Sequence, residues 1–219
     1  MKILTLLATL LFTASTIIAQ DLAVTYEITM HSDDPEVQAQ MGMMQGSTLK
    51  LKSKDQKSRT EMNMGGLITT TNIVDNEKGK GVLLMDGMLG KQAAKFDEED
   101  KDEVDAEEAD IEVELIDESK EILGYTCKKA IIYTEDDVEL VYWYTKEIQL
   151  GNDALSKYMK KGLPGLALEF SVDEGNMNMT FTATELKTKV KETKDMFSLK
   201  IPEGYSEKTM EEISKMSGQ

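Results

Sequence analysis

Alternation of apolar and polar positions is the first signal in this chain. From Asp21 to Met30, Leu22, Val24, Tyr26, Ile28 and Met30 alternate with Asp21, Ala23, Thr25, Glu27 and Thr29. A period of two predicts a strand with one buried face. The next stretch, His31 to Gly46, breaks that period. Asp34 before Pro35 reads as a helix N-cap with proline at the first helical position, and Gly46 reads as the end of a short lid helix. Four strands are then predicted in close succession, Ser47 to Ser53, Lys57 to Met64, Leu67 to Asp75 and Gly81 to Asp86. The turns between them are short, which implies antiparallel neighbours in a meander.

The second half repeats the pattern with more aromatic weight. Ile111, Val113 and Leu115 alternate in a strand, and the run from Gly124 to Tyr133 pairs with Val138 to Lys146 across the polar turn Thr134-Glu135-Asp136-Asp137. This hairpin is dense in β-branched and aromatic residues and is predicted to lie at the centre of the sheet. Its second strand puts Val138, Leu140, Tyr142 and Tyr144 on one face and a mixed set on the other. Asn152 or Asp153 can cap a short helix that ends at Gly162. Strands at Leu166 to Val172 and Asn176 to Leu186 follow, and the turn Ile201 to Tyr205 leads to a helix capped by Ser206. The tally is eight to ten strands and two or three short helices. That predicts an α+β domain with a single curved antiparallel β-sheet and helices as its lid.

Composition places this domain. Met1-Lys2 and the apolar or small run from Ile3 to Ala19 have the layout of a secretory signal, with cleavage expected after Ala19. Gln20 follows the cut, so no lipobox cysteine is offered. The expectation is a signal peptide at 1–19 and one domain at 20–219, periplasmic or secreted, with no transmembrane segment after cleavage. The formal charge is −16, or −17 once Lys2 leaves with the signal. That acidity disfavours nucleic acid and anionic membranes and favours cationic partners. Residues 97–110 hold ten acidic side chains against Lys101. Self-repulsion predicts a solvated loop; an EF-hand is not matched, for no glycine punctuates the acidic positions.

Candidate chemistry is sparse. His31 is the only histidine and Cys127 the only cysteine, so a disulfide and a histidine-rich zinc site are excluded by count. No nucleophile elbow, phosphate loop or dinucleotide fingerprint is present. The chain is therefore read as a non-enzyme that needs no cofactor. Methionine is the unusual feature, with fourteen beyond Met1. Met62 with Met64 and Met177 with Met179 share strand faces by their spacing of two. These thioethers read as core filling, as a compliant apolar cavity, or, for Met41, Met43 and Met44 with His31, as a Cu(I) site.

Three blocks in series carry a family resemblance. They are Ile122 to Lys129, then Tyr142 to Lys146 continuing through Gly162-Leu163-Pro164-Gly165-Leu166, and finally Phe197 to Tyr205. In order and spacing they resemble the envelope family called domain of unknown function 4412, which is similar in turn to periplasmic lipoprotein carriers of the LolA and LolB type. The resemblance implies an open half-barrel whose concave apolar face, under a helical lid, receives acyl chains. The expected function is a carrier or binding module for a lipid, a lipoprotein or another hydrophobic ligand. Its cavity candidates are Tyr142, Tyr144, Leu168, Phe170, Met177, Met179, Met62 and Met64. The alternatives are a structural or protein-interaction component of the envelope and the Cu(I)-binding reading.

Overall fold

The alternating stretches become strands, and the breaks between them become the lid and turns. The computed structural model describes residues 17–19, 21–88, 90–97, 112–133, 139–150, 162–173, 175 and 177–216. In chain order these form β1 (Ile17–Ala19), β2 (Leu22–His31), α1 (Pro35–Met41), a 3-10 turn (Gly42–Met44), β3 (Thr48–Lys54), β4 (Lys57–Met64), β5 (Ile68–Asp75), β6 (Lys80–Gly87) and β7 (Gly90–Asp97). There follow β8 (Glu112–Ile122), β9 (Tyr125–Tyr133), β10 (Glu139–Thr145), β11 (Ile148–Leu150), β12 (Leu166–Asp173), β13 (Asn178–Lys187), β14 (Ser206–Lys208) and α2 (Met210–Met216).

Twelve strands make one sheet in the order β14-β7-β6-β5-β4-β3-β2-β13-β12-β10-β9-β8, curved and unclosed because its two end strands do not pair. The short β1 and β11 pair separately, in parallel. The first long strand, β2, is the seam. It pairs antiparallel with β3 on one side and, on the other, with β13 from the far end of the sequence. That seam joins the N-terminal meander to the C-terminal strands and buries the alternate residues Leu22, Val24, Tyr26 and Ile28.

Several expectations are corrected. The class is mostly β, with only two short α-helices among the described residues, where an α+β balance was expected. The hairpin of β9 and β10 lies near one end of the sheet, one strand in from β8, and the centre belongs to β3 and β2. Apolar density misplaced it because β9 and β10 gain burial from neighbours on both sides. Leu166, Ala167 and Leu168 are all buried in succession on β12, so that strand is covered on both faces. The strand β7 was not anticipated, since its buried residues are mostly the small Ala93 and Ala94, with Phe96. Ser206 lies in β14 rather than capping a helix. The cap is Thr209, whose Oγ1 accepts from the Glu212 amide at 3.1 Å while Glu212 Oε2 accepts from the Thr209 amide at 2.9 Å, a reciprocal capping box. The predicted helix after Asn152, the turn 134–137 and the acidic loop beyond Asp97 lie outside the described residues, as do 1–16 of the predicted signal. Of that signal's end, residues 17–19 form β1.

The sheet carries apolar cover on both faces of the meander. Paired residues share a face, so Leu51, Thr60, Asn72, Leu83 and Ala94 form one row across five strands, and Lys52, Arg59, Ile73, Val82 and Lys95 form the opposite one. Ile73, Val82, Leu84 and Ala93 are buried with Phe197, and Met196, Leu199, Ile201 and Tyr205 pack against them. The segment before β14 thus straps the second face, and β14 extends the sheet by pairing parallel with β7.

At the other end, Lys120 Nζ of β8 donates to Glu169 Oε1 of β12 at 2.7 Å and sits 4.4 Å from the centre of the Trp143 ring. This contact reaches over β9 and β10 and holds the end strand to the body of the sheet. Between β8 and β9, Leu123 and Gly124 both take positive φ, at 53° and 80°. A two-residue turn with both residues in that region matches the twist of the strands it joins.

Candidate functional site

The site begins where β2 outruns its neighbour. The β2–β3 register ends at Glu27 and Thr48, and the last rung is the Ile28 amide donating to the Ser47 carbonyl at 3.0 Å. Beyond that rung β2 keeps its partner β13 as far as His31. The chain between Ser32 and Gly46 leaves the sheet and folds back as α1 and the 3-10 turn.

Local sequence dictates this excursion. Asp34 Oδ1 accepts from the amides of Glu36 at 2.8 Å and Val37 at 3.4 Å, and Pro35 occupies the first helical turn. Two buried serines fasten the ends of the excursion. The Ser32 hydroxyl accepts from the Asp34 amide at 3.1 Å, and the Ser32 carbonyl accepts from Gln38 Nε2 at 2.7 Å. The Ser47 hydroxyl donates to the Met44 carbonyl at 2.6 Å. The 3-10 turn rests on the β4–β5 turn: a Cβ on Gly65 would stand 2.4 Å from the Met43 carbonyl oxygen. Only a residue without a side chain allows that approach.

A cavity of about 650 Å³ lies between this lid and β2. Its walls are Glu27, Ile28, Thr29, Met30, His31 and Ser32 from the strand and Gln38, Met41, Gly42, Met44, Gln45 and Gly46 from the lid. The lining mixes thioethers and an aliphatic side chain with a polar rim. His31 Nε2 stands 3.4 Å from Asp33 Oδ1 at the exposed edge. α1 buries none of its residues, so few apolar contacts hold the lid closed.

The structure separates the predicted cavity residues into two groups. Leu168 and Met179 belong to the main core with Leu22, Val24, Tyr26 and Phe181, and Met62, Met64, Met177 and Phe170 pack half-buried against it. Met30, which lines the cavity, packs against this same core and pairs with Met179. Tyr142 and Tyr144 are buried in an adjoining cluster with Ala130, Ile132, Leu140 and Ala167. Tyr142 stacks on Phe170 at 5.6 Å, and Phe170 stacks on Phe181 at 4.7 Å, which bridges the two clusters. None of the eight lines the lid cavity. Of the residues considered for Cu(I), His31, Met41 and Met44 do line it and Met43 does not. Sequence reasoning missed Met30 as a wall residue, although its place at the end of the first strand, beside the predicted lid, was the available signal.

On the row of the meander that begins with Leu51, Thr60 and Asn72 face each other across β4 and β5, and Thr60 Oγ1 and Asn72 Oδ1 are buried without a hydrogen bond. Elsewhere burial sets the protonation behaviour. It pushes the Tyr142 hydroxyl up to about 12 and the Cys127 thiol up to about 11, the latter despite the opposing charge of Lys120. At neutral pH Cys127 therefore stays a thiol. Among the described residues no group of three His, Cys, Asp or Glu side chains converges on a metal position, and no helix is long and apolar enough to cross a membrane.

Residues 90–211, from β7 into α2, match the family described as "N-glycanase peptide, N-terminal domain". The chain belongs to this N-glycanase N-terminal-domain family. The matched residues begin after the lid cavity, which is built from residues 27–46, and include Tyr142, Tyr144, Leu168, Phe170, Met177 and Met179. Among solved structures, PNGF-II is similar at 18% identity and a TM-score of 0.49, over 92% of this chain and 33% of that one. The chain thus spans about a third of the length of PNGF-II. An uncharacterised conserved protein from Thermus thermophilus is similar at 9% identity and a TM-score of 0.49, over 87% of this chain and 91% of that one. A β-barrel-like protein of domain of unknown function 1849 from Brucella abortus is similar at 8% identity and a TM-score of 0.39, over 78% and 99%. No curated protein matches the sequence.

Proposed function

We propose that this chain is an exported binding or carrier module that holds a lipid or another hydrophobic ligand beneath the α1 lid. The observation that carries the reading is the cavity of about 650 Å³, which Ile28, Met30, Met41 and Met44 line together with polar residues that include Glu27, Thr29 and Gln38. Its size falls within the range of small-molecule sites, which combine apolar walls with a few polar rim groups. Methionine walls suit varied apolar shapes because the side chain is unbranched and repacks readily. The exposed lid gives a route of entry, since a helix with no buried residue opens at low cost. The apolar leader at the N-terminus supports export, and the likeness of the three sequence blocks to domain of unknown function 4412, a family similar in turn to LolA-type carriers, supports an acyl-chain ligand. The role is binding rather than catalysis: His31 sits on the exposed rim and Cys127 is buried as a thiol.

Native mass spectrometry of the protein from an envelope fraction, before and after organic extraction, tests this. A bound lipid mass that disappears on extraction, and that is weakened by Met41→Gln or Met44→Gln, is the expected result. A clean apo mass that does not shift when lipid is added would overturn the reading and leave a structural component of the envelope.

A further inference from the structure

The lid cavity gathers soft donors from two separate elements. Met41 ends α1 and Met44 ends the 3-10 turn. Residues three apart on continuous helical backbone are surface neighbours, so Met41 and Met44 lie on the same side of the lid. Both are half-buried and both line the cavity, while Met43 between them is 60% exposed and does not. The strand wall supplies a third thioether at Met30, also half-buried. Met30 and His31 are consecutive on β2, so their side chains leave opposite faces of the strand. The imidazole is therefore turned away from the set that Met30 joins.

We infer that Met30, Met41 and Met44 form a three-thioether site for a soft monovalent cation, Cu(I) or Ag(I). Thioether sulfur selects this class of ion, since it is a poor ligand for hard cations such as Ca²⁺ or Mg²⁺. The site differs from the one read from sequence by the exchange of Met43 for Met30 and the loss of His31. The chain's net charge of −16 raises the local concentration of any cation near it. The inference does not depend on an apolar ligand, since three sulfurs occupy only part of the cavity.

The test is titration of the full chain, freed of lipid by extraction, with Ag(I) as a redox-inert probe and with Cu(I) under reducing conditions against a chromogenic chelator. Binding of a single ion is expected. Met30→Leu, Met41→Leu and Met44→Leu each remove a sulfur at nearly constant volume. Loss of a direct ligand is expected to weaken binding at least as much as loss of an outer-shell partner, about tenfold or more. Met43→Leu, His31→Gln and Cys127→Ala are expected to leave the affinity unchanged, and X-ray absorption of the Cu(I) form should show sulfur neighbours without imidazole nitrogen. Binding that survives the triple leucine variant, or that is lost in Met43→Leu or Cys127→Ala, would overturn the inference, as would no binding at all. Each of these outcomes is separate from the lipid test, since lipid capture is read on unextracted protein without added metal.

Discussion

The Tyr26 hydroxyl on β2 donates to the Ala167 carbonyl on β12 at 2.8 Å, across the intervening β13 and 141 residues of sequence. The small Ala183, paired with Tyr26 on β13, leaves room for the ring to lie across it, and the ring meets Phe170 edge-on at 5.5 Å. This one side chain ties the two halves of the sheet together at the seam. Tyr26→Phe keeps the ring contact and loses the hydrogen bond. It should lower unfolding stability by about 1 kcal/mol, read as a shift of the urea midpoint with unchanged slope.

The stack of Tyr142, Phe170 and Phe181 gives a graded prediction. Phe181 is buried at 3% exposure, whereas Phe170 is half-buried. Phe181→Ala should cost about 3–5 kcal/mol, and Phe170→Ala should cost less. Equal losses in denaturant unfolding would mean that stacking, rather than burial, sets the energetics there.

Thr60 illustrates the opposite sign. Its Oγ1 is buried without a hydrogen bond, so the hydroxyl contributes only its desolvation cost. Thr60→Val keeps the shape and is expected to be neutral or stabilising by up to about 1 kcal/mol. A clear loss of stability on thermal unfolding would show that the hydroxyl has a partner in solution.

Asp75 predicts a pH dependence. Its carboxylate is buried, which raises its pKa, but Lys78 outweighs burial through its amide at 3.2 Å, its Nζ at 2.7 Å and its charge, and the net shift is downward. A carboxylate depressed on folding stabilises the native state above its unfolded pKa of about 3.9 and loses that contribution as pH falls through the lower folded value. The advantage of the natural chain over Asp75→Asn should therefore be constant near neutrality and shrink below about pH 4. Urea midpoints of the two chains across acidic pH read this directly, and parallel curves would count against it.

Gly65 and Gly66 form a matched pair. Both have positive φ, at 60° and 80°, but a Cβ meets the Met43 and Met44 backbone only at Gly65. Gly66→Ala should cost about 1 kcal/mol from backbone strain alone. Gly65→Ala should cost more and should also displace the 3-10 turn, so exchange of the lid amides with solvent deuterium should speed up in that variant and not in the other.

Much of this architecture was legible in the order of residues. The alternation from Leu22 to Met30, the meander from β3 to β6, the Asp34-Pro35 helix start and the shared face of Leu140, Tyr142 and Tyr144 all follow from local periodicity and capping. These are short-range rules, in which each residue's environment depends on neighbours two to four positions away. β7 escaped them because two alanines carry little apolar signal, and β14 escaped them because three residues hold no period.

Which strands are neighbours was settled only in three dimensions. Nothing local to Leu22–His31 says that it pairs with β13, since that choice depends on closing a very long loop against the gain from burying both strands' apolar faces. The same pairing moved the β9–β10 hairpin away from the centre. It also left the end of β2 without β3 beside it, and so created the cavity. Residue order alone dictates a β-rich chain with an acidic balance, many thioethers and a capped lid. The folded arrangement chose which thioethers share a space, because Met30 comes to line one cavity with Met41 and Met44 only once the lid folds back over the end of the strand.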